Sequence, residues 1–183
     1  MYRIPLAEVF SSQPDSEAYA FLELYPSMVT WWIKHSVEFK GGPANSFRNQ
    51  LYPKWKADWP GYNSQHAQTS SSVAYAILQL NKEAAELETI NLKLNFAVIS
   101  QRLAKIEDCE LIFPTKHSKR AHIKLITTDP RQQTLLEQAA NKYWQIGQPT
   151  ITATWSIIPL TKQINLTMEN DRAINELLFA KKH

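Results

Sequence analysis

The spacing of apolar residues changes once along this chain, and the change limits the folds that the chain can adopt. Up to about residue 87, apolar side chains recur at the three- and four-residue intervals of amphipathic helices. From residue 92 onward they alternate with polar side chains, as in residues 121–125, which is the period of half-buried strands. The sequence therefore predicts an α+β protein. An N-terminal helical bundle would precede a small antiparallel sheet or barrel with one inserted helix.

The same change of period predicts how the chain is divided. Residues 1–90 are predicted to form a mainly helical domain with a short N-terminal strand, and residues 91–170 a small β-rich domain. Residues 171–183 form a weakly amphipathic segment that predicts a helical tail. A length of 183 residues is enough for one good hydrophobic core or two small ones.

Capping residues and prolines predict the boundaries of the first helices. Residues 2–10 are predicted as a short strand that is followed by a turn, and Asp15 is placed to cap the first helix. Pro26 predicts a break or kink in that helical stretch, and Pro53 the end of the short helical segment before it. Ser64 is expected to cap the longest helix, which carries a seam of small residues along one face.

Two signals in the second half predict the inserted helix and a hairpin. Asp129 and Pro130 provide an N-cap and a first-turn proline for a helix that would run towards Trp144. Alternating apolar residues on either side of residues 159–162 predict two paired strands joined by a turn.

The cysteine content and the length of the apolar runs limit the cellular compartments in which this chain is expected. The only cysteine, Cys109, excludes an intramolecular disulfide and a multi-cysteine zinc site, and its apolar neighbours predict a buried thiol. No segment approaches the roughly 18 uninterrupted apolar residues of a membrane span, and the N-terminus does not look like a secretory signal. A cytoplasmic protein without a membrane partner is expected.

Motifs of catalysis are missing from the sequence. The chain has four glycines and neither of the glycine-rich loops that hold nucleotide phosphates. His117 and His122 are the only histidines near ligand spacing, and the acids Glu83, Glu86 and Glu88 suit a solvated helix face better than a two-metal centre. The sequence predicts no enzyme, no cofactor and no metal site.

Two basic clusters are the features that favour a ligand. The formal charge of +3 and the pI near 8.9 are only mildly basic, so the distribution of the cations carries more information than their sum. One cluster, predicted to lie on an edge of the sheet, contains Lys116, Lys119, Arg120, His122 and Lys124. The other, in the helical part, contains Arg48, Lys54, Trp55 and Lys56.

Basic side chains beside aromatic rings suit a nucleic acid. The cations would track a phosphate backbone, with Trp55 as a platform on which a base could stack. Simpler alternatives stay open for both clusters. The first could be a solvated hairpin tip, and Trp55 with Trp59 could fill the core, because tryptophans at i, i+4 spacing share one face of a helix.

Several stretches resemble the N-terminal region of TnpB-type transposon proteins, which are RNA-guided nucleases. They are Phe47-Arg-Asn-Gln-Leu-Tyr52, Trp59-Pro-Gly-Tyr-Asn-Ser-Gln-His-Ala-Gln68 and Ala74-Tyr-Ala-Ile77. The resemblance implies an order of elements after these helices: an edge strand, a strand pair at residues 111–115 and 122–126, a helix, and a final hairpin. In that family the corresponding region, called recognition and wedge, grips the guide RNA and the DNA duplex beside the target.

The resemblance does not extend to a RuvC-like nuclease domain, whose acidic triad holds the metal ions in that family. It implies a nucleic-acid-binding module that binds structured RNA within an RNA-guided, CRISPR-like complex and has no nuclease activity of its own. Its partners would be RNA, duplex DNA and a separate nuclease or effector subunit. The alternative is a structural or protein-interaction subunit of a larger assembly, in which the small-residue seam packs on a partner helix.

Overall fold

The computed structural model describes residues 8–80, 94, 96–100, 102–133, 150–155 and 162–167. The α-helices in these ranges are α1 (Ser16–Lys34), α2 (Ala44–Asp58) and α3 (Ser64–Leu80), with a 3-10 helix at His35–Glu38. The strands are β1 (Glu8–Pro14), β2 (Phe96–Ser100), β3 (Lys105–Glu107), β4 (Glu110–Pro114), β5 (Arg120–Ile126), β6 (Thr150–Trp155) and β7 (Lys162–Thr167). The predicted α+β class, with helices ahead of an antiparallel sheet, is confirmed.

The described strands form one seven-stranded sheet in the order β2-β6-β7-β1-β5-β4-β3. Every pairing in this order is antiparallel, including the predicted hairpin between β6 and β7. The order does not close into a ring among the described strands, so they form an open sheet. Strand β1 lies in the middle of it, and the three helices are an insertion between β1 and the rest of the sheet.

The N-terminal strand lies later in the sequence than its apolar pattern predicts. The pattern placed the strand at residues 2–10 and a turn after it, whereas β1 includes Ser11, Ser12 and Pro14. These residues pair with β5 in the register Ser11 to Ile126 and Pro14 to Ile123. Hydrogen bonds to a neighbouring strand therefore overrode the turn preference of serine and proline, which is the usual effect of tertiary context on β propensity.

The predicted cap of α1 is confirmed, and of the two alternatives at Pro26, a break or a kink, the break is wrong. Asp15 Oδ1 accepts a hydrogen bond of 2.7 Å from the backbone N–H of Ala18, as an N-cap side chain does. The helix then runs without interruption through Pro26. A proline inside a helix costs about 3 kcal/mol, and burial of a whole helical face, including Tyr25 and Met28 at 0 % exposure, offsets that loss.

Helix α2 also continues through its proline, contrary to the prediction that Pro53 ends it. Its buried residues Phe47, Leu51 and Trp55 are spaced four apart and lie on both sides of Pro53, so one packed stripe holds the two halves in a single helix. For α3 the cap is Asn63 rather than Ser64, because Asn63 Oδ1 accepts from the N–H of Gln65 at 2.9 Å.

The helices and the sheet share one hydrophobic core. Helices α1 and α3 pack together on one face of the sheet, and α2 packs on α3 and on the 3-10 helix. The Phe21 ring of α1 meets the Phe113 ring of β4 edge-on at 5.3 Å, which joins residues from the two predicted domains in one cluster. The predicted boundary between those domains, near residue 90, lies outside the described residues, as do the predicted course of the inserted helix beyond residue 133 and the predicted helical tail at residues 171–183.

Candidate nucleic-acid interface

Strand β5 has one face in the core and the other exposed. Ala121, Ile123 and Leu125 are buried under the helices, and the residues that alternate with them are exposed or half-buried. The second set contains Arg120, His122 and Lys124, so the predicted basic residues of this strand lie together on the sheet face opposite the helices. We call this face of β5 and its neighbours the outer face.

The basic strand is not at an edge of the sheet, which corrects one prediction. β5 lies between β1 and β4, and the edges of the described sheet are β2 and β3. The backbone groups of β5 are therefore used in strand pairing on both sides. Only its side chains are available to a ligand, and the candidate interface is a surface rather than an open strand edge.

An ion pair neutralises part of the outer face, and two cations there have no acidic partner among the described residues. His122 Nδ1 of β5 lies 3.2 Å from Glu110 Oε2 of β4. Lys105 Nζ and Glu107 Oε1, both on the edge strand β3, form an ion pair at 2.7 Å. Arg120 and Lys124 form no ion pair with any residue in the part of the chain that the structure describes. These two side chains are both exposed, so their charge is available to an anionic ligand.

Residues 116–119, which we call the basic turn, are fixed to helix α1 through Glu17. Thr115 Oγ1 donates a 2.5 Å hydrogen bond to Glu17 Oε1, and Lys119 Nζ lies 3.3 Å from Glu17 Oε2. The hydrogen bond from Thr115, together with the Lys119 ammonium, lowers the pKa of Glu17 below its usual value. The turn is therefore held in one position, and only part of the Lys119 charge is free for a ligand.

The basic turn also contacts the loop that follows α2. Tyr62 and Lys116 form a β-bridge, and the N–H of His117 donates to the carbonyl of Gly61 at 2.8 Å. Lys116 Nζ lies over the Tyr62 ring, 5.7 Å from its centroid. Gly61 has φ +86°, and a Cβ added there would come within 2.4 Å of the His117 ring. The two loops thus meet at a point where only glycine fits without displacing the imidazole.

The fit at Gly61 can be tested by comparing Gly61→Ala with Gly41→Ala. Both glycines have positive φ, so each alanine variant is expected to lose about 1 kcal/mol of folding stability. Only at Gly61 would the new methyl group meet a neighbour, because nothing lies within 4 Å of a Cβ at Gly41. The NMR resonances of the His117 ring should therefore shift in Gly61→Ala and stay in place in Gly41→Ala. Unchanged His117 resonances in both variants would contradict the contact.

The second predicted cluster is only partly available to a ligand. Trp55 is 0 % exposed, so the prediction of a base-stacking platform is wrong and the alternative of a core tryptophan is right. Lys54 Nζ pairs with Glu38 Oε1 at 2.5 Å, and the guanidinium of half-buried Arg48 contacts Asn49 Oδ1 at 3.4 Å. Lys56 is exposed. The structure does not place this cluster on the outer face, since α2 packs on the helical side of the molecule.

Sequence reasoning missed three residues that position the basic turn. Glu17 and Thr115 are 98 residues apart, and no pattern in the sequence connects them. Gly61 carried a signal, because a Pro-Gly pair marks a tight turn, although nothing in the sequence indicated which residue would fill the space beside it. Long-range packing therefore decides the shape of this site.

The thiol of Cys109 is exposed, contrary to the prediction of a buried one. Asp108 and Cys109 form the turn between β3 and β4, with φ of 46° and 60°. The buried residues of this apolar run are Leu111 and Phe113, both 0 % exposed. Cys109 precedes the part of the run that enters the core.

Other kinds of site find no support in the described part of the chain. It contains no group of three or more histidine, cysteine, aspartate or glutamate side chains that could hold a metal ion. None of its helices is both long enough and apolar enough to cross a bilayer. Comparison with models of known protein families finds no match, and comparison with curated proteins finds none either.

Proposed function

We propose that this chain is a nucleic-acid-binding module that holds structured RNA within an RNA-guided DNA-targeting complex in the cytoplasm, without nuclease activity of its own. The observation that carries the proposal is the outer face of β5. Arg120 and Lys124 stand there without acidic partners among the described residues, and the lysines of the basic turn lie directly before them in the chain. Clustered, solvated cations of this kind bind phosphates by releasing counterions.

The rigidity of the basic turn supports the same proposal. The hydrogen bonds of Thr115 to Glu17 and of the His117 N–H to Gly61 hold the backbone of the turn in place, so less backbone conformational entropy is lost on binding than with a mobile loop. A solvated hairpin tip, the simpler alternative, needs no such fixation. The cations of the basic turn and the outer face would recognise the shape and the backbone of the RNA, while base pairing by the RNA supplies sequence specificity.

The order of elements supports the RNA-guided setting. The TnpB resemblance implies an edge strand after the helices, a strand pair, a helix and a final hairpin. The described chain has β2 at an edge, the pair β4 and β5, a helical start at residues 130–133 and the hairpin of β6 and β7. The duplex DNA and the separate nuclease subunit belong to the proposal through this resemblance alone.

The alternative function is that of a structural subunit whose small-residue seam packs on a partner helix. Part of that seam is not available to a partner. Ala67, Ser70, Ser71 and Ala74 of the seam are buried within the chain, and Trp32 Nε1 donates to Ser70 Oγ at 2.9 Å. That stretch of α3 is used for packing on α1. The part of the seam beyond residue 80, including Ala84, lies outside the described residues.

The double variant Arg120→Ala/Lys124→Ala tests the proposed function. If each cation contacts one phosphate, its affinity for an RNA hairpin should fall, and the slope of log K against log salt should become shallower by about 2. The matched control is Lys34→Ala/Lys40→Ala, which removes the same charge from two exposed lysines on the helical side. Equal loss in both variants would mean that only net charge matters, and this would contradict the assigned interface.

A further inference from the structure

Two aromatic side chains lie beside the lysines of the basic turn. The His117 imidazole is exposed, and Tyr62 is half-buried in the loop that the basic turn contacts. The Tyr62 ring packs edge-on against the ring of Trp59, with 5.8 Å between the ring centroids, and this contact restricts its orientation. Lys116 Nζ lies over the same ring. Aromatic surface and positive charge are thus combined within two short segments.

The backbone of His117 is held in a conformation that side chains rarely adopt. Its φ is 55°, in the left-handed region where glycine and asparagine are favoured. Such strain persists where the surroundings fix it, and it concentrates at binding sites and active sites. Here the bond from His117 N–H to Gly61 and the bond from Lys119 N–H to the carbonyl of Lys116 fix it. The backbone is therefore fixed at the residue that carries the exposed imidazole.

We propose that the rings of His117 and Tyr62 form a stacking site for an unpaired RNA base, whose flanking phosphates are held by Lys116 and Lys119. This inference rests on the proposed function and specifies its ligand. Aromatic side chains stack on bases that are splayed out of a loop or bulge, because the faces of the bases in an RNA duplex are covered by neighbouring bases. Base stacking on such rings tolerates any base.

The site differs from the one that the sequence suggested. Trp55 cannot stack on a base because it is buried between the rings of Trp32 and Tyr52, at 6.1 Å from each. The next aromatic residues along the chain, Trp59 and Tyr62, extend the same row of rings to the loop that contacts the basic turn. The stacking role therefore moves from the core of the helical layer to the contact between its last loop and the basic turn.

Two RNA probes separate this inference from the proposed function. One is a blunt RNA duplex, and the other is a hairpin with the same stem and an unpaired uridine loop. The wild-type chain should bind both, and it should bind the hairpin more tightly by at least about fivefold, the lower end of the effect of one stacked base. His117→Asn should remove this preference without weakening duplex binding, because asparagine accepts the left-handed backbone and lacks the ring.

The control is Ser118→Ala, an exposed change in the same turn that leaves both rings in place and should keep the hairpin preference. Replacing uridine in the loop by abasic sites should lower hairpin affinity to that of the duplex. Equal binding of hairpin and duplex by the wild-type chain overturns the stacking site and leaves the proposed function standing. Binding of neither probe at low salt overturns the proposed function itself.

Discussion

Replacing Trp55 by alanine is expected to destabilise the folded chain by about 3–5 kcal/mol, the usual loss for a large aromatic side chain removed from a core. Trp55 is 0 % exposed, and its ring lies near-parallel to those of Trp32 and Trp59 at 6.1 Å and 6.4 Å. The alanine would leave a cavity between α2 and α1 that the surrounding aromatic rings cannot fill. Unfolding in urea, followed by tryptophan fluorescence and circular dichroism, measures the loss.

The neighbouring change Lys56→Ala is the control, because this exposed side chain lies one residue along α2 and has no ion pair with another described residue. Its effect should stay within about 0.5 kcal/mol. If the Trp55→Ala protein were folded and stable but had lost RNA affinity, this result would contradict the burial of Trp55 and support its role as a base-stacking platform.

Stability should fall as the pH drops from about 6.5 to about 4, and His66 is the cause. Its side chain is 0 % exposed, its Nε2 donates to the carbonyl of Pro114 at 2.8 Å, and its Nδ1 has no hydrogen-bond partner among the described residues. Burial lowers the pKa of His66 from 6.5 to about 4. The folded chain therefore keeps a neutral imidazole over a range in which the unfolded chain takes up a proton.

Proton linkage gives the sign of this change in stability with pH. Between the two pKa values the unfolded state binds more protons, so stability is complete above about pH 6.5 and decreases on acidification, by up to roughly 3 kcal/mol. Unfolding free energies at a series of pH values from 7 to 5 measure the effect of His66 before Glu17, whose lowered pKa acts below about 4.5, contributes.

The comparison protein for this effect is His66→Gln, which can still donate to the carbonyl of Pro114 but does not titrate. Its stability should be nearly independent of pH over that range, whatever its absolute value. A wild-type curve that is equally flat between pH 7 and pH 5 would show that His66 is not buried as a neutral group.

Fold class could be predicted from the sequence because it depends on the period of apolar residues. The alternation of Ala121, Ile123 and Leu125 places them in the core of β5, and Asp15 caps α1 through a contact only three residues away. Both signals are local. Pro26 and Pro53 misled the prediction of helix ends, because the burial that carries the helices past them comes from distant segments.

The candidate site was predictable in composition and not in shape. Arg120, His122 and Lys124 share a face because strands alternate, and this can be seen in the sequence. The position of the basic turn depends on Glu17 and Gly61, which lie in the helical part of the chain, and the sequence does not connect them with it. The spacing of Trp55 and Trp59 fits a core face and a binding face equally well, so only the packed structure separates the two.

We propose that the outer face of β5 and the basic turn hold RNA, and any RNA that copurifies with the chain is the direct test of this proposal. The chain should be purified at low salt from cells that also carry its native flanking DNA, and the bound RNA should be sequenced. A discrete RNA that is retained by Lys34→Ala/Lys40→Ala and lost from Arg120→Ala/Lys124→Ala is the predicted result. Wild-type protein that is free of RNA under these conditions would contradict the account.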